Sequence, residues 1–238
     1  KMAATIEPAA LDSNFTQLAS FGLLDVLTKL YDASQPDPEV EDAAPGMDIN
    51  MTDDRGCSAL IWAARNGHLE VVTYLLEKGG DVNLKAYGGL ASLHHATMGS
   101  FESVVAKLID TGADANAGDE SGNSPLHWAA CRGVLNIVNR IVDAGGDVNM
   151  KNKQGVTPLH KACIFGQVAV VRRLIDIGAD VGAADGAGNT PLHYASRCGY
   201  CPLVAFLLKN GGDKDATNND GFSPVDVASS PAAKKEFA

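Results

Sequence analysis

Four histidines, His94, His127, His160 and His193, stand 33 residues apart. A column of imidazoles is the kind of array that can hold metal ions or pass protons. Five aspartates, Asp81, Asp114, Asp147, Asp180 and Asp213, recur at the same 33-residue interval, and clustered carboxylates can do acid–base work. Cys198 and Cys201 form a C-x-x-C, a spacing shared by zinc sites and dithiol redox centres. Each feature also has a plainer reading. A buried imidazole must satisfy both ring nitrogens whether or not it does chemistry, and an Asp that recurs in a loop is explained by bonds to its own backbone. Tetrahedral zinc needs four ligands, and the sequence offers no second cysteine pair. Cys198 and Cys201 straddle a turn at Gly199, and Cys201 shares a column with Leu69, Leu135 and Val168, which reads as core. No G-x-S-x-G, Walker loop or zincin helix occurs. The chain is therefore expected not to be an enzyme, with no catalytic residue, metal, cofactor or small-molecule substrate.

The elements that position these residues follow from the same period. One phrase recurs six times: GCSALIWAA at Gly56, GLASLHHAT at Gly89, GNSPLHWAA at Gly122, GVTPLHKAC at Gly155, GNTPLHYAS at Gly188 and GFSPVDVAS at Gly221. Its central apolar residue falls at Leu60, Leu93, Leu126, Leu159, Leu192 and Val225. The phrase predicts a first helix, with Ser58, Ser124, Thr157, Thr190 and Ser223 as N-caps and proline at the first helical position in four units. A second stripe predicts a second helix: Val71, Val104, Ile137, Val170 and Leu203, each followed by a valine and, four positions on, by Leu75, Leu108, Ile141, Leu174 and Leu207. Gly67, Gly133, Gly166 and Gly199 turn the chain between the two, with Ser100 in that place in the second unit. Gly79, Gly112, Gly145, Gly178 and Gly211 close the second helices, where a left-handed residue belongs.

Charge and composition narrow the function. The chain of 238 residues has 29 Asp+Glu against 19 Lys+Arg, a formal charge of −10. That disfavours a nucleic-acid partner, because affinity for phosphates comes from surplus Lys and Arg. With 45% hydrophobic residues the chain can bury a core. Its apolar runs fall far short of the roughly 20 residues needed to cross a bilayer, so no membrane insertion is expected. The five cysteines, without a secretory signal, predict reduced thiols in the cytoplasm or nucleus.

The 33-residue period, the T-P-L-H-x-A phrase, and the tails GGDVN at Gly79, GADAN at Gly112, GGDVN at Gly145 and GADVG at Gly178 together resemble the ankyrin repeat. The resemblance covers about residues 46–238. It implies an all-α repeat solenoid of stacked helix–turn–helix ankyrin repeats, with β-hairpin-like loops projecting as fingers. It also implies that His94, His127, His160 and His193 are structural, each bonding a Ser or Thr two positions earlier and the backbone of the next repeat. The physics agrees: one helix pair cannot hide its apolar face alone.

Three regions are expected. Residues 1–52 form a degenerate N-terminal capping repeat, with Leu11, Phe15, Leu18, Leu23, Leu24, Leu27 and Leu30 on its inner side, a break at Gly22, and an acidic, proline-bearing insertion at 34–46 that reads as a mobile loop. Residues 53–217 hold five repeats (53–85, 86–118, 119–151, 152–184 and 185–217), and residues 218–238 a partial capping repeat.

If repeated columns build the scaffold, recognition belongs to the columns that vary. In the resembled family these are the finger tips and the first-helix face on the concave side. They place Tyr87, Leu90, Met98, Val156, Ile164 and Phe165 as an apolar patch, of which Leu90 and Val156 have folding into their own repeats as the alternative. Arg65, Arg132 and Arg197 line the same face and Lys153 sits at a tip, able to pair with carboxylates or simply to be solvated. Trp62, Trp128 and Tyr194 share the column after the histidine, where stacking between repeats is favoured over an aromatic cage because the rings lie two repeats apart. The sequence thus predicts a non-catalytic interaction scaffold that binds a partner protein segment on its concave face, with Tyr87, Met98, Trp128, Ile164 and Phe165 as anchors and the arginines for orientation. The degenerate C-terminal unit motivates the alternative, a regulatory or targeting domain of a larger enzyme or channel.

Overall fold

The computed structural model describes residues 15–35 and 46–238. They divide into two compact units, one ending at Asp114 and the other running from Ala115 to Ala238. In the first unit, residues 15–20 are helical, followed by Leu24–Ser34 and then by the pairs Ala59–Asn66 with Leu69–Glu77 and Ser92–Met98 with Glu102–Asp110. The second unit contains the pairs Pro125–Arg132 with Leu135–Asp143, Pro158–Ile164 with Val168–Asp176, and Pro191–Cys198 with Cys201–Lys209, then the short helix Pro231–Lys235. The described residues contain no strand longer than an isolated bridge, Thr52 to Ser58 and Lys85 to Ala91.

Within each unit the pairs stack in chain order. First helices pack on first helices, Ala59–Asn66 against Ser92–Met98, and Pro158–Ile164 between Pro125–Arg132 and Pro191–Cys198. Second helices do the same. The columns read from the sequence are the ones the stacking buries: Leu60, Leu93, Leu126, Leu159 and Leu192 are essentially inaccessible, as are Val71, Val104, Ile137, Val170 and Leu203. Each such side chain contributes roughly 2 kcal/mol of burial, and neither helix of a pair could hide its stripe alone.

Local chemistry sets the ends of the elements. Ser58 caps its helix by accepting from the Ile61 N–H, and Thr157 does so from His160. Ser223 heads only a turn, because no helix follows it until Pro231. At the far ends, Gly79 adopts φ +91°. Its N–H reaches the Leu76 carbonyl at 3.1 Å, and the Gly80 N–H reaches Leu75 at 2.9 Å, the paired bonds of a Schellman closure. The pattern repeats at Gly112, Gly145, Gly178 and Gly211. Ser100 occupies the turn where other repeats have glycine and is forced to φ +61°, the one described non-glycine residue in the left-handed region.

A ladder of asparagines ties repeat to repeat within each unit. Asn50 Oδ1 accepts from the Asp81 N–H at 2.6 Å while its Nδ2 donates to the Gly79 carbonyl at 3.4 Å. Asn83, Asn116 and Asn149 do the same to the next tail. The aspartate column is local: Asp81, Asp147, Asp180 and Asp213 each accept from the N–H two residues on.

The N-terminal segment breaks at Gly22 (φ +70°) as expected. Its buried face is Phe15, Thr16, Ala19, Leu27 and Tyr31. Leu23 does not belong to that face and is 46% exposed; as the residue leading out of the Gly22 turn it has non-helical φ/ψ, which swings its side chain off the helical stripe. Leu11 and most of the acidic insertion lie outside the described residues. Lys78 ties this segment to the first repeat, 3.4 Å from the Asp32 carboxylate and over the rings of Tyr31 and Tyr74.

Candidate functional site

The variable face is built on finger turns. Asp119 Oδ1 accepts from the N–H groups of Ser121 and Asn123 at 2.9 and 2.8 Å, the Asx geometry that shapes a short turn from its first residue. Asp53, Asn152, Asp185 and Asn218 organise their fingers alike. Neighbouring tips are joined by single backbone bonds, Lys153 N–H to Ser121 and Gly186 N–H to Gln154.

The second carboxylate oxygen of these aspartates holds a ring on the first helix. Trp62 Nε1 donates to Asp53 Oδ2 at 2.8 Å, Trp128 Nε1 to Asp119 Oδ2 at 3.2 Å, and Tyr194 Oη to Asp185 Oδ2 at 2.6 Å. Burial and the Asp185 carboxylate push the Tyr194 phenol up to about 12, so it remains a donor. Sequence reading missed this aspartate column. Its signal was present: the aspartate lies nine residues before the ring in repeats one, three and five, and where the ring gives way to His95 or Lys161 the aspartate gives way to Ala86 or Asn152. The rings therefore orient first helices on fingers. Two arginines in turn lie over them, Arg65 at 5.1 Å from the Trp62 centroid and Arg197 at 4.6 Å from Tyr194, a cation–π contact that aims the guanidinium.

The histidine column is structural in geometry. In His127, Nδ1 accepts from the Ser124 N–H at 3.1 Å and lies 2.9 Å from Ser124 Oγ. An N–H can only donate, so Nδ1 carries no proton and Nε2–H donates to the Val156 carbonyl at 3.0 Å. His160 and His193 make the same bonds with Thr157 and Asn189 and with Thr190 and Phe222. The hydroxyl partner stands three positions earlier, not two, because the first helical turn brings residue three back over the cap. Burial drives the His127 pKa down to about 4 and lowers those of His160 and His193. In the last unit Asp226 takes the histidine's place and accepts from Ser223 through both N–H and hydroxyl.

Cys198 and Cys201 are free thiols, and each sulfur lies near a backbone carbonyl, Ile164 and Gly199 respectively. The column of Cys201 is not core. Leu135 and Val168 are exposed and Leu69 is half-buried, because this position opens the second helix before its buried stripe begins.

The expected contact residues separate by burial. In the first unit Tyr87 is 75% exposed, Arg65 is exposed, and Leu90 and Met98 are half-buried. In the second unit Arg132, Lys153, Phe165 and Arg197 are exposed, while Trp128 and Ile164 are half-buried. Val156 does not join them; at 7% exposure it folds beneath its own finger. Two of the clefts formed by the described residues adjoin first-helix rings. One of about 80 Å³ in the second unit is lined by Asn123, His127, Trp128, Cys131, Lys161 and Phe165. A wider one of about 420 Å³ in the first unit, between Gln17, Phe21, Arg55 and Trp62, went unforeseen because the capping segment carries no repeat signature. No described helix is long and apolar enough to cross a membrane.

Stacked helix pairs, finger turns and an inward histidine column define a repeat scaffold. The family model for ankyrin repeats (3 copies) matches residues 16–119, 88–152 and 126–218, and the chain belongs to the ankyrin-repeat family. Among solved structures it is similar to the ankyrin repeat domain of human ASB11, at 26% identity over 94% of this chain and 95% of that chain, with a TM-score of 0.81. No match was found among curated proteins. With 618 matching solved chains, the likeness defines architecture rather than any one partner. Ankyrin repeats are generally protein-interaction modules.

Proposed function

We propose that the chain is a non-catalytic module that docks a segment of a partner protein on its finger tips and first-helix faces. The observation that supports this most is Phe165, 50% exposed at the rim of the cleft lined by Trp128, Cys131 and Lys161. A half-exposed aromatic beside a cleft is the usual form of an interface anchor. In the first unit Tyr87, Leu90, Met98 and Arg65 supply contacts of the same character; in the second, Ile164 joins Phe165, and Arg132, Lys153 and Arg197 provide orientation through carboxylates. No small molecule, cofactor or nucleic acid is invoked, and the reading places the protein in the cytoplasm or nucleus with its thiols reduced.

Capture of interacting proteins from a native extract, followed by direct binding of each purified candidate, tests the reading. The double variant Met98→Ala, Phe165→Ala is expected to lose at least tenfold in affinity for a genuine partner while melting within about 3 °C of the parent chain. Unchanged affinity in a folded double variant overturns it.

A further inference from the structure

We infer that the first-helix face of the second unit selects an acidic peptide segment, in which a carboxylate enters the Trp128–Phe165 cleft to meet Lys161 and an adjacent apolar side chain stacks on Phe165. The inference rests on the interaction reading above and names the chemistry of the partner.

Lys161 stands in the column that holds Trp128 and Tyr194 in the flanking repeats. Those two rings are each tied to an aspartate nine residues earlier. The residue nine before Lys161 is Asn152, whose carbonyl oxygen is taken by the amides of Gln154 and Val156 and whose Nδ2 donates to Asn123. The carboxylate that would neutralise the ammonium is thus replaced by a neutral amide already in use. No described residue makes an ion pair or side-chain hydrogen bond with Lys161, although it is half-buried. Lys161 lines the cleft; burial there lowers the pKa of His127 and raises that of the Cys131 thiol, and the Lys161 charge adds to the first effect and offsets part of the second.

The remaining polar groups of the cleft are committed. The Asn123 amide serves Asp119 and Asn152, and the His127 ring serves Ser124 and Val156. A carboxylate entering here therefore meets one uncompensated donor between two aromatic walls, where reduced solvent strengthens the pairing. The cleft, of about 80 Å³, has room for a carboxylate with its methylene beside Lys161, and an adjacent apolar side chain can lie on the exposed face of Phe165. Arg132, Lys153 and Arg197 are exposed on this unit and carry the sign that an acidic segment requires, while the Asp119 and Asp185 carboxylates, which keep their charge, face turn amides and rings.

Panning a display library of random 12-residue peptides against the intact chain, with recovered peptides measured by fluorescence anisotropy, tests the inference. Recovered peptides are expected to pair Asp or Glu with a neighbouring Phe, Trp or Leu. Replacing that acid by its amide should weaken binding about tenfold to the parent chain and not at all to Lys161→Met, a variant that keeps the aliphatic stem and should melt with the parent. Peptides that lose affinity with Phe165→Ala but show no acidic preference, or an amide penalty that persists in Lys161→Met, overturn the inference and leave the interaction reading standing. Recovery of no peptide sensitive to Phe165→Ala overturns both. Displacement of the acidic peptides by a 20-nucleotide RNA at equal concentration shows diffuse charge rather than a carboxylate site and also overturns the inference.

Discussion

The asparagine ladder is interrupted once in the second unit, at Gly182, and restoring it tests the physical account of how repeats are joined. Gly182 already has the local geometry of its counterparts: its N–H donates to Asp180 Oδ1 at 2.9 Å, as Asn149 does to Asp147 at 2.8 Å. A Cβ added there meets only Asp180 Oδ1 at 3.5 Å, an ordinary contact. In the intact rungs the asparagine bonds the amide 31 residues on and the carbonyl 29 residues on, which for position 182 are Asp213 N–H and the Gly211 carbonyl. Gly182→Asn should form both. Two hydrogen bonds at about 1 kcal/mol each, plus roughly 0.4–1 kcal/mol from replacing glycine, less about 1 kcal/mol for ordering the side chain, leave a gain of about 1.5–2 kcal/mol. For a chain of this size that raises Tm by about 3–8 °C. Gly182→Ala, which gains only the backbone part of roughly 0.4–1 kcal/mol, should rise by about half as much or less. Repeat arrays need not unfold in one step, so the decisive assay is native-state hydrogen exchange at Asp213, whose amide should become protected in the asparagine variant alone. Equal stability of the Asn and Ala variants, with exchange at Asp213 unchanged, would refute the ladder as a source of cohesion.

Two further outcomes follow from the same structure. Ser100→Gly relieves a left-handed serine at φ +61°, a strain of roughly 1–2 kcal/mol offset in part by the flexibility of glycine; urea denaturation should show a gain of about 0.5–1 kcal/mol, and a loss would mean that Ser100 makes a compensating bond. Acid should destabilise the second unit well before carboxylates titrate. Because the His127 pKa falls from 6.5 unfolded to about 4 folded, the unfolded chain binds more protons between those values and stability declines as pH drops through that window. His127 alone accounts for about 2 kcal/mol between pH 7.5 and 5 by this linkage. An NMR titration placing its midpoint near 6.5 in the folded chain would contradict the burial argument.

The sequence by itself determined the architecture, because a 33-residue period repeats its own proof: the glycine closing each second helix, the Ser or Thr cap before His127, His160 and His193, and the buried leucine column are local requirements of a stacked helix pair. The resemblance, rather than the spacing, implied that His94, His127, His160 and His193 serve the backbone, whereas the local bonds of the aspartates followed from the chemistry of a loop Asp. The site was legible only in outline. Phe165 and Tyr87 could be placed on the variable face from register alone, yet Val156, adjacent in the same reasoning, is buried, and Leu23 and Val168, apolar in the right neighbourhood, are not. Burial at the edge of a stripe depends on where the backbone leaves the helix, which one-dimensional spacing does not carry. The nine-residue spacing of Asp53, Asp119 and Asp185 from Trp62, Trp128 and Tyr194 is in the sequence, but only the tertiary structure decided that these carboxylates hold the rings and that Lys161 is left without such a partner among the described residues. Those pairings join a finger to a helix across nine residues, and their consequence, one uncompensated charge between two aromatic walls, exists only once neighbouring repeats are packed together.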